Sequence, residues 1–361
     1  MHFRMNLCKE DQTRSLVHYE RGSKQLSFVF QTMTSARLAH AKVSCKREKT
    51  SHTSLLASYF LRMHHVLTAD QFSRADLDRI MQRSAEMEAI LKQGGTKMCD
   101  GKILGALFYE PSTRTRLSFE TAMLRLGGSV ISESDVTFSS QSKGEVIEDT
   151  IRIVGGYSDV IAIRTKVKGE AKVAAHYSPV PVLNGGDGSG EHPTQSLLDL
   201  YTIVKHHNIG NEPLNIAFVG DLKYGRTVHS LAKILRNYEG VSLQFVAPEA
   251  IQMPSEYVNS RDSIHTTLTD EILQTADVIY DTRMQKERFE DIEQFNQVKN
   301  AFIFTPEMVH KMKPDATLMH PLPRVNEIMQ AVDSLPQARY FEQALNGVPI
   351  RMALIAEALE V

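Results

Sequence analysis

The sequence has no apolar run long enough to cross a membrane, few cysteines and almost no net charge. No uninterrupted apolar stretch reaches the roughly 18 residues that a membrane-spanning helix needs, so we expect no membrane partner. Cys8, Cys45 and Cys99 are scattered without a C-x-x-C pair, which excludes a disulfide framework and a Cys-rich zinc module and is typical of a reducing compartment. The 41 basic and 43 acidic residues give a net charge of −2, so no overall field favours nucleic acid.

The composition of the 361 residues is otherwise that of a globular protein of about two domains. Residues 1 to about 60 differ, because positions 21 to 60 hold seven Lys or Arg and one acidic residue, Glu48. We predict a flexible, non-catalytic N-terminal extension there. Two alternatives stay open: an organelle-targeting peptide, which three acidic residues before position 21 disfavour, and a working chain that begins at Met63.

From residue 61 onward, short apolar runs alternate with segments of helical periodicity. Predicted strands lie at 102–108, 130–131, 159–163 and 181–183, and a second series at 215–219, 243–246, 277–280, 302–304 and 317–319. Predicted helices include 114–126, 194–207 and a final one over 340–360, interrupted near Gly347. This alternation predicts an α/β fold class with two doubly wound domains and mostly parallel sheets. We place the domains at 61–208 and 209–340, with a C-terminal helix at 341–361 that packs back on the first domain.

Ligands of such sheets bind beyond the carboxyl ends of the strands. The first strand is followed by Ser112-Thr-Arg-Thr-Arg116, which brings hydroxyls and guanidiniums to the first turn of a helix, an arrangement that suits a phosphate. An ordinary capped helix start is the alternative. Arg164 ends the third strand, where a surface charge is also common.

A glycine-rich segment, residues 185–190, leads into His192 and Gln195. Its glycines let the backbone approach a ligand closely, and the two polar side chains are three residues apart at a helix start, so both could face one bound group. A satisfied polar residue near a turn is the alternative for His192. Arg283 and the segment 320–324 also follow strands, where a solvated turn and a rigid proline turn are the alternatives.

A rival interpretation comes from residues 220–227, which miss the P-loop pattern G-x-x-x-x-G-K-[ST] only by Arg226 in place of Lys. Residues 278–281 similarly resemble the hydrophobic run with a terminal Asp that supports magnesium. A nucleotide-dependent phosphotransferase is therefore an alternative, although a bidentate arginine matches a carboxylate better. The His-His pairs at 64–65 and 206–207 have no carboxylate at ligand spacing, so we predict no metal site.

Four of these segments together closely resemble the aspartate carbamoyltransferase family, in the family's order. They are Phe108–Arg116, Gly190–Gln195, Gly220–Thr227 and His320–Arg324. The first two are shared with ornithine carbamoyltransferases, whereas the last, with Arg283-x-Gln285, points to aspartate. The resemblance runs from about Val66 to the C-terminus. Thr165 departs from it, because many relatives have His there.

The resemblance implies transfer of the carbamoyl group from carbamoyl phosphate to L-aspartate, giving N-carbamoyl-L-aspartate and phosphate in pyrimidine (UMP) synthesis, without a cofactor. Ornithine or another amino acid as acceptor is the alternative. Residues 61–208 would bind carbamoyl phosphate and residues 209–340 aspartate. The implied contacts to carbamoyl phosphate are Ser112, Thr113, Arg114, Thr115, Ser139, Arg164, His192, Gln195, Pro321, Leu322 and Pro323.

The resemblance assigns catalytic roles to Arg114, Thr115, Arg164, His192 and Lys143. The implied aspartate contacts are Lys143, Arg226, Arg283 and Gln285. Read alone, the polar segment 139–145 would be a mobile surface loop. The family instead implies a homotrimer with shared active sites, in which a neighbouring chain inserts this loop. We further expect a cytoplasmic location, and separate regulatory chains stay an open possibility.

Overall fold

The computed structural model describes residues 6–11, 14–21, 24–31, 65–134, 140–284, 293 and 302–361. The chain divides into two compact units, residues 1–62 and 63–361. The first unit contains strands β1 (Asn6–Asp11), β2 (Arg14–Arg21) and β3 (Lys24–Gln31), joined as an antiparallel sheet in the order β1-β2-β3. No strand was predicted here, although the apolar residues Leu26, Phe28, Val29 and Phe30 lie in β3. The flexibility of this extension stays a prediction.

The second unit begins with a four-stranded parallel sheet in the order β5-β4-β6-β7. Its strands are β4 (Ile103–Phe108), β5 (Ser129–Glu133), β6 (Val160–Thr165) and β7 (Val182–Asp187). The helices of this part are α1 (Arg74–Lys92), α2 (Thr113–Arg125), α3 (Ile147–Tyr157), α4 (Glu170–Tyr177) and α5 (Pro193–His206). Because all four strands are parallel, their carboxyl ends meet at one edge.

A five-stranded parallel sheet follows in the order β10-β9-β8-β11-β12. Its strands are β8 (Leu214–Gly220), β9 (Val241–Val246), β10 (Ser263–His265), β11 (Val278–Thr282) and β12 (Thr317–Met319). The helices here are α6 (Arg226–Leu235), α7 (Asp270–Thr275) and α8 (Pro306–Val309). Short 3-10 helices lie at Ala69–Gln71, Ser140–Lys143, Glu249–Ile251, Ser255–Tyr257 and Gln330–Ser334.

The chain ends in two helices, α9 (Tyr340–Leu345) and α10 (Gly347–Ala358), so the interruption near Gly347 is present as predicted. Helix α10 packs against α1 and α2 beside the first sheet. Its residues Ile350, Met352 and Leu354 are all buried. A largely apolar helix is expected in such an enclosed position.

One local prediction was wrong. Residues 302–304 form no strand, and Phe304 makes only an isolated bridge to Ile328. The N-cap residue of α1 is Ser73, whose hydroxyl accepts from the backbone N–H of Asp76. The fold class itself, α/β with two domains and parallel sheets, is confirmed. None of the described helices is both long and apolar enough to span a membrane.

Candidate active site

A cavity of about 730 Å³ lies between the carboxyl ends of the two sheets of the second unit. Its walls come from the segments that follow β4, β6, β7, β8, β11 and β12, with contributions from α9 and α10. The sequence-predicted residues that line it are Ser112, Thr113, Arg114, Thr115, Arg164, His192, Gln195, Arg226, Arg283, Pro321, Leu322 and Pro323.

One described residue of the predicted site is not in this wall. Lys143 does not line the cavity of its own chain and ends a short 3-10 helix, where a loop was predicted. Ser139 and Gln285 lie outside the described residues. Among the described residues, no group of His, Cys, Asp and Glu is arranged to hold a metal ion.

The amino end of α2 opens directly onto the cavity. Ser112 is the N-cap residue, yet its side chain makes no capping hydrogen bond, so it is not the ordinary cap of the alternative interpretation. Thr113, Arg114 and Thr115 form the first turn. The N–H groups of a first turn have no acceptor within the helix and carry its positive dipole end. This end therefore offers hydroxyls, N–H groups and a guanidinium to an anion.

Arg164 near the end of β6 is held by three contacts. Its Nη1 donates to the carbonyl oxygen of Gly185 at 3.0 Å and lies 3.4 Å from Nε2 of His192, while Nη2 lies 3.0 Å from Oε2 of Glu110. Burial, with the nearby charge of Arg226, lowers the pKa of Arg164 to about 10, and Glu110 acts in the opposite direction. The guanidinium therefore stays protonated at neutral pH.

Arg226, the first residue of α6, reaches the same carboxylate from the second sheet. Its Nη2 lies 3.4 Å from Oε2 of Glu110, and its Nη1 donates to the carbonyl oxygen of Gly188. A Cβ on Gly186 would lie 3.0 Å from Nη1 of Arg164 and 3.3 Å from Nη2 of Arg226. The glycine-rich segment was predicted to approach a ligand closely. In the structure Gly186 lets two guanidiniums come close, and the approach to a ligand stays a prediction.

His192 is buried beside these arginines. Burial lowers the pKa of His192 well below its ordinary value, and the charges of Arg164, Arg226 and Arg351 act in the same direction. Its Nδ1 has no hydrogen-bond partner among the described residues. The imidazole is therefore neutral at physiological pH and acts as a hydrogen-bonding group rather than a cation.

The turn after β12 forms part of the cavity wall. His320 shapes it, because Nδ1 accepts from the backbone N–H of Leu322 at 2.9 Å and Nε2 donates to Oε1 of Glu327 at 2.9 Å. The acceptor role of Nδ1 keeps His320 neutral, and burial lowers its pKa. Pro321, Leu322 and Pro323 all line the cavity, and the Leu322-Pro323 bond is cis.

Four polar residues at or behind this wall were not predicted from the sequence: Glu110, Asp199, Glu327 and Arg351. Glu110 lies just beyond β4, so the rule that strand ends carry function could have found it. Arg351 had a weaker signal, a charge inside the apolar C-terminal helix. It is buried, donates to the carbonyl oxygen of Gly347 at 3.1 Å, and burial lowers its pKa to about 9.

The P-loop alternative conflicts with this geometry. Asp281, the proposed magnesium-supporting residue, is fully buried, and neither carboxylate oxygen has a hydrogen-bond partner among the described residues. Burial raises the pKa of Asp281 well above its ordinary value. A neutral carboxyl group inside the core is unsuited to hold a divalent cation.

Two family models cover most of the second unit. The "Aspartate/ornithine carbamoyltransferase, carbamoyl-P binding domain" matches residues 64–205, and the "Asp/Orn binding domain" of the same family matches residues 212–357. The chain belongs to the aspartate/ornithine carbamoyltransferase family. The family predicted from the sequence motifs is thus confirmed.

Individual relatives narrow the family to its aspartate branch. The chain is 49% identical to the aspartate carbamoyltransferase catalytic subunit of Methanococcus maripaludis strain C5, over 81% of this chain and 97% of that one. It is 47% identical to the catalytic subunit of Methanothrix thermoacetophila, over 83% and 99%.

Solved structures agree with these relatives. The catalytic subunit of M. jannaschii aspartate transcarbamoylase superposes with a TM-score of 0.75 at 44% identity, covering 82% of this chain and 98% of that one. Aspartate transcarbamoylase from Trypanosoma cruzi in complex with N-(phosphonacetyl)-L-aspartic acid gives 0.77 at 39% identity, covering 82% and 95%. The predicted enzyme class and reaction, carbamoyl transfer from carbamoyl phosphate to aspartate in pyrimidine synthesis, are confirmed. Neither ornithine nor a nucleotide phosphotransferase is supported.

Proposed function

We propose that the cavity holds carbamoyl phosphate and L-aspartate side by side and transfers the carbamoyl group directly between them. The observation that carries this proposal is the convergence of Arg114, Arg164, Arg226 and Arg283 on one cavity beside a neutral histidine. Both substrates are anions, so the protein must offset their mutual repulsion and hold the reacting atoms together.

The phosphate binds at the amino end of α2. Ser112, Thr113, Arg114 and Thr115 supply hydroxyls, backbone N–H groups and one guanidinium, and Arg164 supplies a second guanidinium from β6. Carbamoyl phosphate already carries its leaving group, and the site needs no cofactor for the transfer. Helix N-termini and arginines are the common means of binding phosphate.

The carbonyl oxygen of the donor lies near Thr115, Arg164 and His192. Nucleophilic attack turns this oxygen into a tetrahedral oxyanion, which donors fixed in advance stabilise. Neutral His192 can donate an imidazole N–H without adding a charge that the neighbouring arginines would repel. Gln195 and the backbone carbonyls of Pro321 and Leu322 accept from the carbamoyl NH₂, and Pro323 completes that wall.

Aspartate binds against the second sheet. Arg226 takes its α-carboxylate, and Arg283 takes its side-chain carboxylate together with Gln285. The neutral α-amine then attacks the carbamoyl carbon, a C–N bond forms, the C–O bond to phosphate breaks, and the departing phosphate accepts the amine proton. No covalent enzyme intermediate is required.

The neighbouring chain of a homotrimer completes the site with Lys143 and Ser139. Two observations support this proposal: Lys143 is absent from its own cavity wall, and β5 is an edge strand with exposed apolar neighbours. Those exposed side chains are Leu117, Leu124, Ile131, Ile153 and Tyr157. A second copy of this chain that covers them would bring its own loop to the cavity. We also propose a cytoplasmic location, which fits the buried free thiol of Cys99.

The test uses two variants that should be inactive for different reasons. Arg114→Ala removes the phosphate contact and should lower turnover about 10²–10³-fold without altering the trimer. Lys143→Ala should inactivate the neighbouring chain's site, to which Lys143 is proposed to contribute. In co-expressed hybrid trimers, some sites combine an intact Arg114 with an intact Lys143, so activity returns. The shared site is wrong if hybrids stay as inactive as the parents, and unchanged turnover in Arg114→Ala would refute the phosphate role.

A further inference from the structure

A buried carboxylate lies directly behind the cavity wall. Asp199 on α5 is fully buried, and its Oδ1 accepts from Nε2 of Gln195 at 2.9 Å and from Nε2 of Gln343 at 2.6 Å. Its Oδ2 accepts from the hydroxyl of Tyr280 on β11 at 2.8 Å. Asp199 therefore ties a residue of the proposed carbamoyl site to both α9 and the second sheet.

The hydrogen bonds determine which way each amide faces. Oε1 of Gln343 accepts from the backbone N–H of His320 at 2.8 Å, and a backbone N–H can only donate. The other end of that amide is therefore its NH₂ group, and Oδ1 of Asp199 must be an acceptor. Gln195 contacts the same oxygen, so it too must turn its NH₂ inward. Its carbonyl oxygen is then the end of the amide left for the cavity that Gln195 lines.

We propose that Asp199 is a positioning residue that holds Gln195 with its carbonyl oxygen toward the donor, so that the site selects an acyl group ending in NH₂ over one ending in CH₃. The proposal rests on the proposed function, in which Gln195 contacts the carbamoyl amide. Carbamoyl phosphate and acetyl phosphate have nearly the same shape and charge and differ in this one group. A buried acceptor that loses its donor costs affinity, which is how such a site rejects the methyl analogue.

The direction in which the Gln195 amide faces does not depend on whether Asp199 is ionised. Burial raises the pKa of Asp199 to about 7, against the hydrogen bonds from Gln343, Tyr280 and Gln195 and the charge of Arg351 on α10. A proton would reside on Oδ2, facing the Tyr280 hydroxyl, which accepts as well as donates. Oδ1 stays an acceptor in both forms. An asparagine can reproduce this arrangement, with its carbonyl toward the two glutamines and its NH₂ toward Tyr280.

The experiment measures equilibrium dissociation constants for carbamoyl phosphate and acetyl phosphate on the full chain. Asp199→Ser leaves room for a water, which can donate or accept and so imposes no direction on Gln195. We expect the preference for carbamoyl over acetyl phosphate to fall about tenfold, the value of one misdirected hydrogen bond. Asp199→Asn should keep the preference, and so should the control Tyr280→Phe, which removes a hydrogen bond to the same carboxylate without touching Gln195.

The ratio separates positioning from a general structural effect. If Asp199→Ser weakens the binding of carbamoyl phosphate and acetyl phosphate equally, the proposal is overturned, because a merely structural role affects the whole site. Gln195→Ala tests the proposed function itself. If the ratio of the two dissociation constants is unchanged in this variant, Gln195 does not contact the carbamoyl amide. A ratio that falls in Gln195→Ala but not in Asp199→Ser overturns the role of Asp199 alone. Should Asp199→Ser fail to fold, Asp199→Asn decides: a retained preference supports the proposal and a lost one overturns it.

Discussion

Nη2 of Arg226 lies 3.4 Å from the carboxylate of Glu110, so an ion pair joins the second α/β domain to the first. The same oxygen lies 3.0 Å from Nη2 of Arg164. One carboxylate thus offsets the repulsion between two guanidiniums that are both proposed to bind anionic substrates.

We expect Glu110→Gln to raise KM for aspartate about tenfold. A neutral amide holds Arg226 less firmly than a carboxylate, because charge-assisted hydrogen bonds are the stronger ones. Steady-state kinetics with aspartate as the varied substrate measure the effect. Glu86→Gln is the matched control, because Glu86 pairs with Arg83 at 2.8 Å on the surface, away from the cavity lining. An unchanged KM in Glu110→Gln would show that the ion pair does not place Arg226.

We expect His192 to contribute no ionisation to the pH profile of kcat between about pH 6 and 9. Its lowered pKa keeps the imidazole neutral over this range. His192→Ala should lose about 10²-fold in kcat, and His192→Asn, which keeps an N–H donor, should lose less. The measurement is the ratio of wild-type to variant kcat across the range. A ratio that changes by a factor of ten per pH unit would contradict a neutral donor.

We expect the Glu327 carboxylate to stabilise the fold at neutral pH but not in acid. Burial acts to raise the pKa of Glu327. Hydrogen bonds from His320 and from the backbone N–H groups of Val325 and Asn326 outweigh this effect, so the pKa is lowered. Stability from a lowered carboxyl pKa is present above the unfolded value and is lost as pH falls through the folded one.

Urea unfolding checks this expectation. Glu327→Gln should lower the free energy of unfolding by about 1–3 kcal/mol at neutral pH. The gap between variant and wild type should narrow below about pH 4.5, where the unfolded carboxyl group binds its proton. A gap of constant size from neutral to acid pH would contradict an ionised Glu327.

We expect a chain that starts at Met63 to keep the kcat and KM of the full chain. All described residues that line the cavity lie between Glu110 and Arg351, within the second unit. The ureido-product assay, with aspartate and ornithine offered side by side, compares both forms and tests the acceptor at the same time. Lost activity in the shorter form would assign the first unit a role in catalysis or folding.

Much of the fold was predicted from local sequence patterns, and the predictions that failed were also local. Apolar runs predicted the strands that lie inside each sheet, because a buried parallel strand needs an almost continuous apolar sequence. Strand β10 was missed, since it is three residues long and lies at the edge with Ile264 exposed. The run at 302–304 was apolar because Phe302 and Phe304 pack in the core, although it does not join the sheet.

The site was predictable where a residue type indicates its own chemistry. Arginines and hydroxyls after strands pointed to a phosphate, and the described ones line one cavity. Glu110 and Asp199 have partners as far as 116 and 144 positions away, and Glu327 has His320, 7 positions away; nothing in their immediate sequence marks these partners. Sequence motifs therefore did not predict the carboxylates that hold other side chains in place.

The missing side chain at Gly186 has one more consequence. Its φ of 117° disfavours any L side chain, and a Cβ there would press on Nη1 of Arg164 and Nη2 of Arg226, which would each have to move by a few tenths of an ångström. An alanine there would act as a wedge that spreads Arg164 and Arg226 apart, while the sheets on either side could still assemble. The distance between Arg164, which is proposed to bind the donor, and Arg226, which is proposed to bind the acceptor, thus depends on the lack of a side chain at Gly186. Gly186 itself is not among the residues proposed to bind either substrate.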